Sequence, residues 1–231
     1  MDIKLISWNI WRGVYLPAVT DFLKSSNADI IALQEVEETD EYVNTASTLA
    51  DSLDYEYVYA RSMAYEIDGI MRYFGNAILS KHHIAGSRSH ALSEEQTRTA
   101  MQADIAVNDS VLHAVSAHLI HSHQQPSLIQ EQQMKNLVSA VPKENTVIMG
   151  DFNSLPESRA IEYMKHAFTD TDDSHVPTWC LYPEGCEQCR IDQVLWKLDY
   201  IFVSPAMKSH NFMAGESKGS DHLPISVILA V

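Results

Sequence analysis

A chain of 231 residues, 45% hydrophobic and 20% charged, with no low-complexity tract, has the composition of a folded globular protein and not of a disordered one. No apolar run approaches the roughly 20 residues of a helical membrane span. Its 16 basic side chains face 31 acidic ones, a formal charge of −15, with only Lys81, Arg88 and Arg98 near to forming a basic group. That balance argues against a salt-driven grip on nucleic acid, but a divalent cation would bring its own positive charge, so nucleic-acid hydrolysis stays open.

The N-terminus lacks a basic stretch followed by an apolar core and cleavage site, so no signal peptide and a cytoplasmic location are expected. Residues 4–8 (Lys4-Leu5-Ile6-Ser7-Trp8) suit a buried strand. Val19, Phe22 and Leu23 recur at helical spacing over 17–26, with Pro17 fitting the first turn. A second buried strand is expected over 28–33 and a helix over 42–53. Strands follow over 55–60, 76–80, 100–107 and 111–119, with Asn108 and Asp109 as the hairpin turn between the last two. The pattern predicts a helix over 127–141 with Leu128, Met134, Leu137 and Val138 on its apolar side, and a strand over 146–149. A helix over 156–166 comes next, with Pro156 near its start. A long loop runs from 170 to 193, and strands over 198–203 and 225–231 close the chain. No linker or repeat divides it, so residues 1–231 read as a single α/β domain with two sheets packed between helices.

The loop holds all three cysteines, Cys180, Cys186 and Cys189, an odd number that does not resemble a secreted disulfide framework. Cys186-x-x-Cys189 has the spacing of half a zinc site, but the motif occurs once, so reduced thiols or a local loop staple are expected.

Several polar residues stand where apolar strands end: Asn9, Glu35, Asp151 with Asn153, Asp199, and Asp221 with His222. One acid at a strand end is usually a turn or cap residue. Five such positions point to a site at the strand ends of an α/β sheet. Hard divalent cations take oxygen ligands, and phosphoester hydrolysis needs a positioned water and neutralised phosphoryl charge. Glu35 and Asp221 suit the metal, Asp151 the water, Asn153 a phosphoryl oxygen, and His222 or His118 the phosphate.

The sequence resembles the endonuclease/exonuclease/phosphatase superfamily through seven motifs in family order. They are Ser7-Trp8-Asn9, Leu33-Gln34-Glu35-Val36, Gly75-Asn76-Ala77-Ile78-Leu79-Ser80, Ser116-Ala117-His118-Leu119, Gly150-Asp151-Phe152-Asn153, Leu198-Asp199-Tyr200-Ile201-Phe202 and Gly219-Ser220-Asp221-His222-Leu223-Pro224. The resemblance implies a four-layer α/β sandwich and a phosphoester hydrolase dependent on Mg²⁺ or Mn²⁺. It implies Glu35 as principal metal ligand with Asn9 beside it, and Asp221 as a ligand or close to one. Asp151 would position the water, Asn153 hold the phosphate, and His222 contact the scissile phosphate, oriented by Asp199. His118 matches a phosphate-binding histidine, whose acid partner would be Glu66 or Asp68.

Other residues have plainer readings. Trp8 and Phe152 are expected in the core, Asn76 beside the site or simply opening a strand, and His82-His83 at an exposed strand end. His121 and His123 are expected to be solvated loop histidines. The segments 61–72 and 170–193 are expected to shape the substrate cleft. The substrate is expected to be a phosphodiester, with DNA or RNA slightly preferred, or a phosphomonoester. Alternatives are an inositol phosphate or phospholipid head group, although no apolar hairpin or basic amphipathic stretch is evident, or an inactive binding protein of the same fold. No obligatory protein partner is evident.

Overall fold

The computed structural model describes residues 1–40, 42, 44–93, 97–186 and 188–231. In chain order the elements are β1 (Asp2–Asn9), α1 (Leu16–Ser26), β2 (Ile30–Thr39), α2 (Thr45–Leu53), β3 (Glu56–Ile67), β4 (Ile70–Ser80), β5 (Ile84–Ser93) and β6 (Arg98–Val107). They continue with β7 (Ser110–His118), α3 (Leu128–Ala140), β8 (Thr146–Asp151), α4 (Arg159–Lys165), β9 (Thr169–Asp170), β10 (Asp199–Val203), β11 (Lys208–Ala214) and β12 (Ile225–Ala230).

Two mixed six-stranded sheets result, ordered β11-β12-β1-β2-β4-β3 and β5-β6-β7-β8-β10-β9. In each, one parallel pair (β1 with β2, β7 with β8) is joined through a helix, and the other neighbours run antiparallel. The sheets face each other across Ile3, Leu5, Ile30 and Ile78 on one side and Ile105, Ala114, Met149 and Ile201 on the other. Val19 and Leu23 of α1 and Leu49 of α2 cover the outer face of the first sheet. Met134 and Leu137 of α3 and Ile161 and Met164 of α4 cover that of the second. This is the expected four-layer sandwich: each sheet buries one face against the other and one under helices, so its central strands read as near-continuous apolar runs.

The expected elements are present with shifted ends. The helix read from 42 begins at Thr45, where the Asn44 side chain accepts from Ser47 N–H, and Val43 lies outside the described residues. The helix read from Pro156 begins at Arg159, capped by Ser158. Leu128 is 78% exposed rather than on the apolar face, because it sits in the first turn of α3. Gln130 and Gln133 take buried positions instead: Gln130 Nε2 donates to Ile120 O (2.7 Å) and Asn153 O (2.8 Å), and Ile120 N donates to Gln133 Oε1 (2.9 Å).

The unanticipated strands β5, β9 and β11 all lie at or beside sheet edges, where one flank faces water and an apolar run is not required. Residues 61–72 form the far half of the β3–β4 hairpin, turning at Asp68 (φ 53°) and Gly69 (φ 76°), both positive as a tight two-residue turn demands. Its tip exposes Tyr65, Ile70 and Met71, which overturns the reading that no apolar hairpin is present. Among the described residues no helix is long and apolar enough to cross a membrane.

Candidate active site

Asn9, Glu35, His118 and Asp151 lie at or just beyond the C-terminal ends of the two parallel strand pairs, while Asp199 opens the antiparallel strand beside Asp151. Glu35 owes its position to a bulge. Leu33 pairs with Ala77 and Val36 with Gly75, so Gln34 and Glu35 together oppose Asn76. Glu35 therefore has φ 53°, in the left-handed region, and is half-buried. Gly150 just before Asp151 is required by close approach: a Cβ there would lie 1.9 Å from the carbonyl oxygen of Ala117.

The side chains meet through direct bonds. Asn9 Nδ2 donates to Glu35 Oε1 and to Asp151 Oδ2, both at 3.1 Å, while its Oδ1 accepts from Trp11 N (3.0 Å). Asp151 Oδ1 accepts from Asn153 N (2.9 Å). Asp151 Oδ2 lies 3.3 Å from His118 Nε2 and 3.6 Å from His222 Nε2. Asp199 Oδ2 is 2.8 Å from His222 Nδ1 and accepts from the Thr178 hydroxyl (2.6 Å). Asp221 accepts from Trp179 Nε1 (3.0 Å) and from the Ser220 hydroxyl (3.2 Å). Asn153 Nδ2 faces His118 Nε2 at 3.0 Å. All eight residues read from the sequence as site residues are thus brought to one place, although they span residues 9 to 222. Trp8 and Phe152 are fully buried, as expected.

Charge is unevenly balanced there. Burial and the neighbouring Asp221 carboxylate raise the Glu35 carboxyl above its ordinary value. Burial likewise raises Asp151, opposed by His222. His222 is buried, which alone would lower it, but Asp199, Asp151 and Asp221 hold it well above the usual imidazole value and so favour its charged form. His118 is pushed well below by burial and by the Arg98 guanidinium, and is neutral. The cleft, about 470 Å³, is lined by Glu35, Asp151 and Asp221, the histidines and Arg98, with Trp11 and Tyr65 at its walls. A larger groove of about 610 Å³ beside the start of α3 shares Asn153 with it but gathers no comparable set of acids and histidines.

Glu66 and Asp68 do not partner His118: both are exposed at the β3–β4 hairpin tip, and the acid beside His118 is Asp151. His121 is not a solvated loop residue, because its Nδ1 lies 2.7 Å from Asn153 Oδ1. Asn76 is fully buried, and its Nδ2 donates to Thr99 O (2.7 Å). Arg98 was not read as a site residue. It is 6% exposed, lines the cleft, and its Nε and Nη1 have no hydrogen-bond partner among the described residues. Its signal was an arginine opening an otherwise apolar strand.

The sequence model of the endonuclease/exonuclease/phosphatase family matches residues 6–222. The chain belongs to the endonuclease/exonuclease/phosphatase family. Members of this family hydrolyse phosphoester bonds, and the chain carries that fold with a cluster of acids and histidine of metal-ligating type, Asp151, Asp199 and His222. A family structure from Beutenbergia cavernae superposes with TM-score 0.80 at 18% identity, covering 100% of this chain and 72% of that one. Another from Leptotrichia buccalis gives TM-score 0.77 at 19% identity, covering 99% and 100%. ANGEL2, a 2′,3′-cyclic phosphatase, gives 0.72 at 16% identity, covering 99% and 95%. At these identities the likeness to family structures is one of fold. No curated protein matches the sequence.

Proposed function

We propose that this chain is a Mg²⁺- or Mn²⁺-dependent phosphodiesterase, acting as one domain on a phosphodiester of nucleic-acid type at the cleft around Asp151. The observation that carries the reading is the bonding of Asn9 to both Glu35 and Asp151, with the His222–Asp199 pair alongside. The donor set fits a hard cation: Glu35 and Asp221 are neighbouring oxygen donors, and burial together with the Asp221 carboxylate disfavours a charged Glu35. Glu35, Asn9 and Asp221 would hold the metal. When bound, it neutralises charge on the phosphoryl and leaving oxygens. The trio Asp151, Asp199 and His222 also offers ligand atoms within 4.8 Å of one another. His222 Nδ1 is already engaged with Asp199, however, so we assign this trio to proton and charge handling.

Asp151 orients the attacking water and takes its proton, a task its raised carboxyl suits. His222, protonated, donates to a phosphoryl oxygen as negative charge develops, and Asp199 fixes its ring. Asn153 and neutral His118 position the phosphate from the other side. Arg98, with two nitrogens that have no partner among the described residues, supplies a charge-assisted hydrogen bond to it.

Substrate class is supported by an aromatic platform at the mouth. Trp11 stacks on Tyr182 (centroids 6.0 Å apart), with Tyr15 at 5.5 Å from Tyr182. Such rings accept bases without sequence preference, and the acidic chain favours short single strands over duplex. ANGEL2, whose structure contains adenosine-2′,3′-vanadate, offers a parallel. One observation favours a second reading, a phospholipid head group: the exposed Tyr65, Ile70 and Met71 at the β3–β4 tip. An inactive binding protein is disfavoured because every assigned acid and histidine is present.

The deciding experiment is a hydrolysis panel of bis-p-nitrophenyl phosphate, p-nitrophenyl phosphate, plasmid DNA, RNA, inositol phosphates and sphingomyelin. Chelation is expected to abolish activity, and Mg²⁺ or Mn²⁺ to restore it; full turnover in excess chelator would refute the metal assignment. Glu35→Gln should raise the metal concentration needed while leaving the fold unchanged. Arg98→Met should lower kcat/KM about 10–100-fold on every substrate, since a charged hydrogen bond is worth about 1.5–3 kcal/mol. Trp11→Ala should raise KM about tenfold for oligonucleotides and leave bis-p-nitrophenyl phosphate unaffected, the selectivity expected of base stacking. An equal effect on both substrates would remove the platform's role.

A further inference from the structure

A second cluster lies on the rim of the cleft, built from two segments far apart in sequence. His121 and His123 come from the loop after β7, and Cys186 and Cys189 from the segment between β9 and β10. One ligand atom from each of the four lies within 4.8 Å of every other. We propose that these four residues form a closed, tetrahedral Cys₂His₂ site for Zn²⁺, distinct from the oxygen-rich site at Glu35.

The spacing is that of a zinc polyhedron before any metal is considered. Zinc bonds of about 2.3 Å to sulfur and 2.0–2.1 Å to nitrogen place ligand atoms about 3.3–3.8 Å apart at tetrahedral angles. His121 Nε2 and His123 Nδ1 are 3.0 Å apart, His123 Nδ1 and Cys189 Sγ 3.4 Å, and Cys189 Sγ and His121 Nε2 3.8 Å. Three edges of a tetrahedron are therefore close to the required length. The two cysteines also adopt a turn suited to thiolate ligation. Cys189 N–H donates to Cys186 Sγ at 3.0 Å, which holds the two sulfurs side by side. All three cysteines are free thiols, so neither ligand is tied up in a disulfide.

Soft sulfur with imidazole selects zinc over the hard cations that suit Glu35 and Asp221. Four protein ligands leave no open position, the mark of a structural site. Its location gives it a task. The stretch between β9 and β10 carries little regular structure yet walls the cleft through Trp179, Gly185, Cys186 and Gln188. Zinc would tie this stretch to the loop carrying His121, adding a cross-link to the ring contact between His121 and Trp179. With its Nε2 on the metal, His121 must carry its proton on Nδ1, which then donates to Asn153 Oδ1 at 2.7 Å. The zinc site thus fixes the orientation of the Asn153 amide, and His121 is a positioning residue.

The test uses the full chain and is read by metal content and spectrum, so it succeeds or fails independently of the phosphoesterase assignment. Protein purified from zinc-supplemented cells and passed over a weak chelating resin is expected to retain one zinc per chain. Replacement by Co²⁺ is expected to give the visible bands of tetrahedral cobalt with a near-ultraviolet thiolate-to-cobalt band, which an oxygen-ligated ion does not produce. Cys186→Ser with Cys189→Ser should abolish that band, and Cys180→Ser should leave it intact. His123 is exposed, so His123→Ala is expected to fold normally by circular dichroism and to weaken Co²⁺ binding at least about tenfold. A thiolate–cobalt band that persists in the double cysteine variant overturns the proposal. So does its absence at saturating Co²⁺ with three thiols titrating as free, or a Cys186–Cys189 disulfide in freshly purified protein.

Discussion

Asp151→Asn and His222→Ala are each expected to lower turnover about a hundredfold or more without loss of fold. Asp151 is 1% exposed and bonded on both oxygens, so asparagine keeps the shape and removes the charge that takes the proton from water. His222 lies 3.6 Å from that carboxylate, its charged form favoured by Asp199, Asp151 and Asp221. Removing it takes away positive charge where negative charge develops on the phosphoryl group. Asp199→Asn should cost less, because the amide can still orient the ring while no longer holding its proton as firmly. KM should change far less than kcat in the first two variants, the pattern expected when a group acts chiefly in the transition state. Steady-state kinetics on the best substrate of the panel, with circular dichroism as the folding control, reads all three. Wild-type turnover in both Asp151→Asn and His222→Ala would place the active site elsewhere.

Lys197→Met is expected to destabilise the fold by about 3–5 kcal/mol, the cost of removing one partner from a buried ion pair. Lys197 is 3% exposed, and its Nζ lies 2.9 Å from Asp172 Oδ2 and 3.2 Å from Asp170 Oδ2, over the Tyr200 ring at 4.5 Å. Methionine fills the space, leaving Asp172 without its cation and Asp170 with only Lys165 Nζ at 3.7 Å. For a chain of this size the midpoint of thermal unfolding should fall by roughly 6–20 °C. Adding Asp170→Asn and Asp172→Asn should recover part of the loss; a variant melting like the wild type would mean the pair contributes nothing. The same contact predicts acid sensitivity. Burial works against ionisation of Asp172, but the Lys197 ammonium and the backbone N–H groups of Val176 and Ser174 hold its carboxyl below the ordinary value. Its contribution to stability is therefore complete above the unfolded-chain carboxylate range and is lost as pH falls through the lowered folded value.

The elements that were legible in the sequence are those buried on both faces. Strands β1, β2, β8 and β10 lie inside their sheets and carry apolar runs because neither face meets water. Strands β5, β9 and β11 escaped notice because edge positions tolerate polar residues such as Ser87, Arg88 and His210. The outer half of the β3–β4 hairpin was obscured for the same reason, although Asp68-Gly69 is a recognisable turn signal.

The site divides in a similar way. The sequence by itself determined which residues carry the chemistry wherever a polar group interrupts an apolar strand: Asn9, Glu35, Asp151, Asp199 and Asp221 stand out because burial selects against them unless they have a use. Tertiary structure alone decided which of them touch. The bulge that turns Glu35 toward Asn9 arises from pairing with β4, a strand some forty residues away, and local sequence does not specify it. Arg98 became a site residue only when β6 brought its guanidinium into the cleft. His121, His123, Cys186 and Cys189 look like scattered loop residues along the chain. They become one cluster because the packed sheets hold two distant loops on the same rim, and contacts between loops follow from the scaffold rather than from either loop's own sequence.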